Sequence, residues 1–398
     1  MYFIKVSSLF LKNKENLFST RIKNLQLKAY GLQLSSMIKV AMIVRSTLYT
    51  VKGGDSIQVL QTAEKLRERN IAVDVILTHE KIDYNKYNFL HFFNITRPAD
   101  MLSHIKASKK PFVVSTILID YSEYDKEHRK GFSGMLFRFI DKDHIEYLKT
   151  ISRWLLGKDK LMSVGYLWMG QRNSIKEIIN KAAFLLPNSH SEYRRLQAAY
   201  RCNTPYVVVP NGVDPHLFKF DRSVEKDPVL VICVARIEGV KNQLNLIKAL
   251  NNSRYKLLII GDPSPNQQAY YRDCRRAAAP NVIFIDQLPQ DELISYYQKA
   301  TVHVLPSWFE TTGLSSLEAA AMGCNIVVTD RGDTIEYFAE EAVYCDPSSP
   351  EAIFKAVEKA ALKKYSAALQ EKILTFYSWH QATVRTMEAY ERINKLWY

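Results

Sequence analysis

The sequence predicts an α/β protein made of two doubly wound parallel-sheet domains that face one another across a cleft. Three observations predict it. The chain has 398 residues, too many for one core and suited to two domains of roughly 150 to 200 residues each. From Met37 onward strand-like and helix-like stretches alternate, as parallel sheets with crossover helices require. The alternation halts in the turn-rich segment PNGVDPHLFKFDRSVEKDP and restarts at Asp227, which marks a linker between the halves.

The elements follow in order. IKVAMIVR reads as the first strand, and a loop with Gly53-Gly54 follows it. DSIQVLQTAEKLRERN reads as a helix with Asp55 as its N-cap and Ile57, Leu60, Ala63 and Leu66 on one face. The strand IAVDVILT completes a βαβ unit, and NFLHFFN, PFVVSTILID, AAFLLPNS and PYVVVPNG are further strands. Between Tyr121 and Arg172 a stretch rich in aromatic and basic residues interrupts the pattern. In the second half VLVICVAR, YKLLIIGD, NVIFID, TVHVLPS, NIVVTD and AVYCD read as strands, with QLNLIKAL, YYRDCRRAAA, DELISYYQKA and LSSLEAAAM as helices between them. The expected division is an extension over residues 1–36, a first domain over 37–218 carrying an insertion over 121–172, a second domain over 219–376 and a terminal helix over 377–398. Residues 1–36 lack a compact apolar core with a small-residue cleavage site, which argues against a secretory signal. They are either a loosely ordered extension or an upstream start that is not used.

Composition narrows the class. Hydrophobic residues at 47% and charged residues at 24% match a soluble enzyme, and no apolar run approaches the roughly 20 residues a membrane span needs. The five cysteines are scattered, which indicates neither a disulfide framework nor a zinc site and suits a cytoplasmic, reducing compartment. The net charge of +13 is uneven: 33 of the 54 Lys and Arg but only 19 of the 41 Asp and Glu fall at or before Phe218, leaving 21 against 22 beyond it. A basic half suits nucleic acid, anionic lipid or an acidic substrate. No nucleic-acid-binding motif accompanies it, so no nucleic-acid partner is expected.

The stretch WFETTGLSSLEAAAMG carries the chemistry. Glu310 lies in the loop leaving the strand TVHVLPS, and Gly313 and Leu314 open the helix LSSLEAAAM. Unpaired N–H groups and the positive dipole end at a helix start suit a phosphate, and glycine lets its oxygens come close. Glu318, about a turn further in, can accept hydrogen bonds from adjacent hydroxyls such as a ribose diol, while Glu310 reaches hydroxyls beyond the phosphates. Acids near a helix start also serve the dipole alone.

The array PNGVDPHLF, VARIEGVKNQLNLIKAL, LLIIGD, LPSWFETTGLSSLEAAAMGCNIVV and TDRGDTIEYF resembles the retaining glycosyltransferases of family 4, which have the GT-B fold of two Rossmann-like domains. Their E-x7-E motif is present as Glu310 and Glu318, their R-x4-K pair as Arg236 and Lys241, and their N-terminal glycine pair as Gly53-Gly54. The resemblance covers about 130 residues densely, and the first half only in its opening βαβ unit. It implies a nucleoside diphosphate sugar as co-substrate, held by Gly53, Gly54, Arg236, Lys241, Glu310, Thr312, Gly313, Leu314 and Glu318. Arg236 and Lys241 would stabilise the departing diphosphate in place of a metal ion, and neither a cofactor nor a metal is expected. Glu310 is then a positioning and electrostatic residue beside the transferred sugar, and the leaving phosphate itself helps deprotonate the acceptor in a front-face substitution. Many members carry a histidine at the end of the first domain's central strand, whereas VVSTILIDYSEYDKEH has none there. Asp120, Tyr121 and His128 are the candidates for that acceptor side.

The insertion interleaves Lys and Arg with Phe, Trp, Leu and Met. It reads either as a surface for an anionic membrane, placing the protein peripherally at its inner face, or as a helical subdomain packing its aromatics inside. The resemblance implies a glycan or lipid-linked acceptor and a last helix that crosses back to brace the first domain. The region of Gln287, in DQLPQ, is where base recognition is sought. Two other readings stand beside a glycosyltransferase: a nucleotide-sugar epimerase of the same architecture, and a non-catalytic donor-binding subunit.

Overall fold

The structure, a computed structural model, describes residues 38–51, 53–121, 123–124, 142–155 and 163–397. The first sheet is built from β1 (Lys39–Val44), β2 (Ala72–Leu77), β3 (Phe89–Phe93), β4 (Phe112–Ser115) and β5 (Phe184–Leu186), parallel throughout and ordered β2-β1-β3-β4-β5. Alternate residues of β1 feed opposite cores. Val40, Met42 and Val44 face a layer that contains α1 (Gly54–Arg67), and Ala41 and Ile43 face the layer of α2 (Ala99–Ser108), α4 (Val164–Lys181) and α5 (His190–Tyr200). A strand covered on both faces needs apolar residues at every position, which is why these runs are continuous rather than alternating. Between β4 and α4 lies α3 (Lys142–Leu155).

The second sheet comprises β6 (Asp227–Val234), β7 (Lys256–Ile260), β8 (Val282–Ile285), β9 (Ala300–Leu305), β10 (Asn325–Val328) and β11 (Val343–Tyr344), in the order β11-β10-β9-β6-β7-β8. Its crossovers are α6 (Gln243–Leu250), α7 (Gln268–Ala277), α8 (Gln290–Lys299), α9 (Leu314–Ala321) and α10 (Thr334–Phe338), followed by α11 (Pro350–Ala361) and α12 (Ala367–Phe376). Strand order reverses between β6 and β9 here and between β1 and β3 in the first sheet. Such switch points open a crevice beyond the strands' carboxyl ends.

The chain passes between domains twice, side by side. Val213 N–H donates to the Tyr377 carbonyl at 2.9 Å and Trp379 N–H to the Val213 carbonyl at 3.1 Å. Gly212 is glycine because a Cβ there would stand 2.6 Å from the Trp379 nitrogen. Val213 and Phe218 already pack in the second core, so the crossing falls before residue 218. After it, α13 (Trp379–Trp397) lies on the first domain, with Trp379, Ala382, Ala389, Tyr390 and Ile393 in the core beside α1. Tyr390 OH meets His91 Nδ1 at 2.7 Å, and His91 Nε2 meets Ser115 Oγ at 2.9 Å.

Three expectations are corrected. Asp55 is not an N-cap: α1 starts at Gly54 with Gly53 as its cap, and Asp55 instead holds Arg45 at 2.7 Å. The buried face of α1 is Val59, Ala63 and Leu66 with Ser56 and Thr62, while Ile57 and Leu60 are exposed. PYVVVPNG is no full strand. Its backbone follows β5 through Val207 N–H to the Leu185 carbonyl and Val209 N–H to the Pro187 carbonyl, but Pro187, Pro205 and Pro210 break the ladder and only a bridge at Tyr206 remains. The stretch over 121–172 overlaps α4, whose Tyr166 is buried in the first domain's core beside Ile175, Ile178 and Ile179.

Candidate active site

The loop after β6 carries Arg236 and Lys241, and it is fixed from within the second domain. Gln243 Nε2 donates to the Arg236 carbonyl at 2.8 Å, and Asn242 Nδ2 donates to the carbonyls of Pro306 at 3.1 Å and Pro347 at 2.7 Å. Trp308 N–H reaches the Val240 carbonyl at 2.9 Å, tying this loop to the one after β9. Arg236 pairs with Glu238 at 3.2 Å, and Glu238 also accepts from Ser264 Oγ at 2.8 Å.

Glu310 is placed by its backbone. Its N–H donates to the Arg331 carbonyl at 3.1 Å, and its carbonyl accepts from Asp333 N–H at 2.9 Å. Gly332, at φ 103, lies so close to that carbonyl that a Cβ would collide with it. The carboxylate pairs with Lys241 Nζ at 2.5 Å and accepts from Ser307 Oγ at 3.2 Å. Burial lowers the Lys241 ammonium, but the charge of Glu310, helped by Tyr121 and Glu238, outweighs it and holds the group above its usual range. Lys241 is therefore a permanent cation next to Glu310.

Gly313, at φ 68, caps α9 in the left-handed conformation that favours glycine. The Gly313 carbonyl accepts the Ser316 and Leu317 N–H groups at 2.8 and 3.0 Å, and the Leu314 and Ser315 N–H groups ahead of them have no acceptor within the helix. Glu318 sits one turn inside, buried, and accepts from Gln290 Nε2 at 2.7 Å and Tyr297 OH at 3.0 Å. Burial pushes its carboxyl up to about 7, against the lowering effect of those two donors. Thr312 is turned to the framework: Asn211 Nδ2 donates to it at 3.1 Å and its hydroxyl meets Tyr337 OH at 3.2 Å.

The first domain closes the other side. A Cβ on Gly53 would stand 3.8 Å from Arg236 Cζ, and one on Gly54 would stand 3.7 Å from Leu314 Cδ1. The glycine pair thus abuts both the Arg236 loop and the start of α9. Tyr121 joins them: its phenol is pushed up to about 12, first by burial, and it feels the charges of Lys241, Glu238, Glu310 and Arg236. Asp120 instead acts on Arg195, the partner of Asp333. His128 lies outside the described residues. Gln287 is at the exit of β8, where its N–H donates to Asp262 Oδ1 at 3.0 Å. Among the described residues no cluster of three or more His, Cys, Asp or Glu side chains is arranged to hold a metal ion. Gln290 and Tyr297 carry no sequence signal, because a helix pattern does not reveal which acid a neighbouring helix will face.

This geometry can be set beside known proteins. Residues 215–373 match the family model described as glycosyl transferases group 1. The second half of the chain is thus similar to that family. The match spans the second-domain residues described above, from the Arg236 loop to Glu318. Among curated relatives, a D-inositol 3-phosphate glycosyltransferase of Acidothermus cellulolyticus is 28% identical over 179 residues, 39% of this chain and 40% of that one. The chain spans about half the length of the curated relatives it matches. In overall shape the chain is similar to sucrose-phosphate synthase from Thermosynechococcus elongatus, with TM-score 0.71 and 15% identity over 90% of this chain and 100% of that one. It is also similar to Anabaena HepE solved in complex with UDP-glucose, with TM-score 0.58 and 15% identity over 90% and 100%. The fold is GT-B.

Proposed function

We propose that the chain transfers a sugar from a nucleoside diphosphate sugar to a hydroxyl of a glycan or lipid-linked acceptor, with retention and without a metal in the chemistry. The observation that carries this reading is the approach of Arg236 and the start of α9 to the Gly53-Gly54 pair, with Lys241 of the Arg236 loop paired to Glu310. The diphosphate rests on the N–H groups of α9 and against Arg236 and Lys241. Glu318 receives the ribose hydroxyls, and Glu310 receives those of the sugar. As the bond from the anomeric carbon to the phosphate oxygen breaks, its electron pair leaves with the diphosphate. The acceptor hydroxyl forms the new bond on the same face and gives its proton to the departing phosphate. Glu310 stays paired with Lys241 throughout and forms no covalent bond. That HepE binds UDP-glucose in a similar fold supports a nucleotide sugar as donor.

The same reading sets the first domain against an anionic membrane. Leu155 at the end of α3 and Val164 and Trp168 at the start of α4 are exposed, Trp168 by 89%, on the half that carries the excess of basic residues. Among the described residues no helix is long and apolar enough to cross a membrane, so attachment would be peripheral. Sedimentation with vesicles of neutral and anionic lipid tests it. Binding indifferent to lipid charge rules it out.

The donor reading is tested by thermal shift with UDP-, GDP- and ADP-sugars, since a ligand of the folded state raises its apparent stability. One class should shift the wild-type chain. Glu318→Ala should abolish most of that shift, and Glu310→Ala should keep it while losing turnover. Failure of all three donor classes to shift the wild type removes the assignment.

A further inference from the structure

The segment that leaves β4 crosses the cleft and touches both loops of the donor half. Glu123 forms an ion pair with Arg331, the residue whose carbonyl receives the Glu310 N–H. Tyr124 stands on Gly239, midway between Arg236 and Lys241. A Cβ on Gly239 would run into the Tyr124 hydroxyl and come within 2.5 Å of its ring carbon Cζ. The Tyr124 phenol also acts on Tyr270, whose oxygen accepts the Leu244 N–H at 2.9 Å near the start of α6. Tyr121, three residues earlier, lies among Arg236, Lys241 and Glu310. One short stretch of the first domain therefore grips the loop that carries the cations and the loop that carries the first glutamate.

We propose that Tyr124 and Glu123 are positioning residues, which set the Arg236–Lys241 loop and the Glu310 loop for the diphosphate sugar when the domains close. The inference rests on the donor reading above. Each acts through a neighbour, Tyr124 through Gly239 and Glu123 through Arg331. Gly239 is outside the positive-φ region, so its backbone tolerates alanine and the penalty of a methyl there falls on the contact across the cleft. Glu123 and Arg331 are 41% and 35% exposed, so removing one charge strands no buried partner.

The test uses the full chain as wild type, Glu123→Gln, Tyr124→Ala, Gly239→Ala and the Tyr124→Ala/Gly239→Ala double variant. Each is titrated with UDP, GDP and ADP, and its melting temperature is read without ligand. Gly239→Ala and Tyr124→Ala should each weaken the preferred nucleoside diphosphate by roughly 10- to 100-fold, the scale of a small misplacement of positioned groups, with the unliganded melting temperature held. The double variant should bind no worse than Tyr124→Ala alone, because the methyl then has nothing to strike, and residues in contact give non-additive effects. Glu123→Gln should weaken binding less, with the loss fading at high salt, where exposed pairs are screened. Additive losses in the double variant, or single variants that bind as wild type does, overturn the positioning role while leaving the donor reading intact. A wild type that binds none of the three nucleotides overturns both.

Discussion

The two walls of the cleft are built on different plans. The donor wall carries its charges already paired: Arg236 with Glu238, Lys241 with Glu310, and Glu318 under two hydrogen-bond donors. The opposite wall presents a glycine pair and Tyr121 to those charges, and its own charged groups, Arg195 and Glu123, pair with Asp333 and Arg331. The difference teaches that the donor wall can exist as a fixed template without its ligand, whereas the other wall contributes close approach and enclosure. Fixed charges of this kind need little rearrangement when negative charge develops in the reaction, and that is the largest source of catalytic advantage in such sites.

The strongest way to break this comparison is Lys241→Met. It keeps a long side chain and removes the cation, which leaves Glu310 facing the diphosphate unneutralised. Turnover with the donor identified by thermal shift should fall about 10²- to 10³-fold. Steady-state kinetics checks it, and a loss under threefold would mean that the pair is structural and the template idea is wrong.

A subtler effect sharpens it. Burial raises Glu318 from 4.5 to about 7. Between those values the folded chain keeps a proton that the unfolded chain gives up, so the contribution of Glu318 to stability declines as pH rises through the window and is level above it. Glu318→Gln cannot titrate. The difference in melting temperature, variant minus wild type, should therefore climb from pH 4.5 to about 7 and then flatten. Nucleoside diphosphate affinity of the wild type should rise over the same window as the carboxylate forms. Parallel melting curves at every pH would show that the acid is not held protonated.

The same contrast governs what the sequence makes legible. The donor wall is readable because each of its loops lies within one short stretch and imposes local demands: glycine at the left-handed Gly313, an acid on either side of it, and two cations five residues apart. The opposite wall has no such economy. Tyr121 reaches Lys241 only through the docking of whole domains, and no periodicity within the chain foretells that. Asp55 shows the same failure on a smaller scale. An acid ahead of an apolar helix satisfies the local rule for a cap, yet Arg45, ten residues back, claims it. Ile57 and Leu60 fit a helical stripe as well as Val59 and Ala63 do, and which pair is buried was decided by where α13, far away in sequence, lies down beside α1.

That helix offers the smallest of the expected effects and the one that separates the walls most cleanly. Tyr390 belongs to the last helix of the chain but serves the first domain, where its hydroxyl meets buried His91 at 2.7 Å. Burial holds the imidazole down to about 3, so at neutral pH it is uncharged and has one nitrogen that donates and one that accepts. Tyr390→Phe keeps the ring against Phe89, 4.7 Å away between centroids, and leaves His91 Nδ1 without that partner. The cost should be about 1 to 3 kcal/mol, the range for stranding one buried polar group, read as a shift in the midpoint of urea unfolding. The variant should leave nucleoside diphosphate affinity unchanged, because the Tyr390 hydroxyl bonds His91 inside the first core and none of the charged groups of the donor wall. A variant that lost affinity in proportion to stability would instead couple the brace to the template, and the two walls would no longer be separable devices.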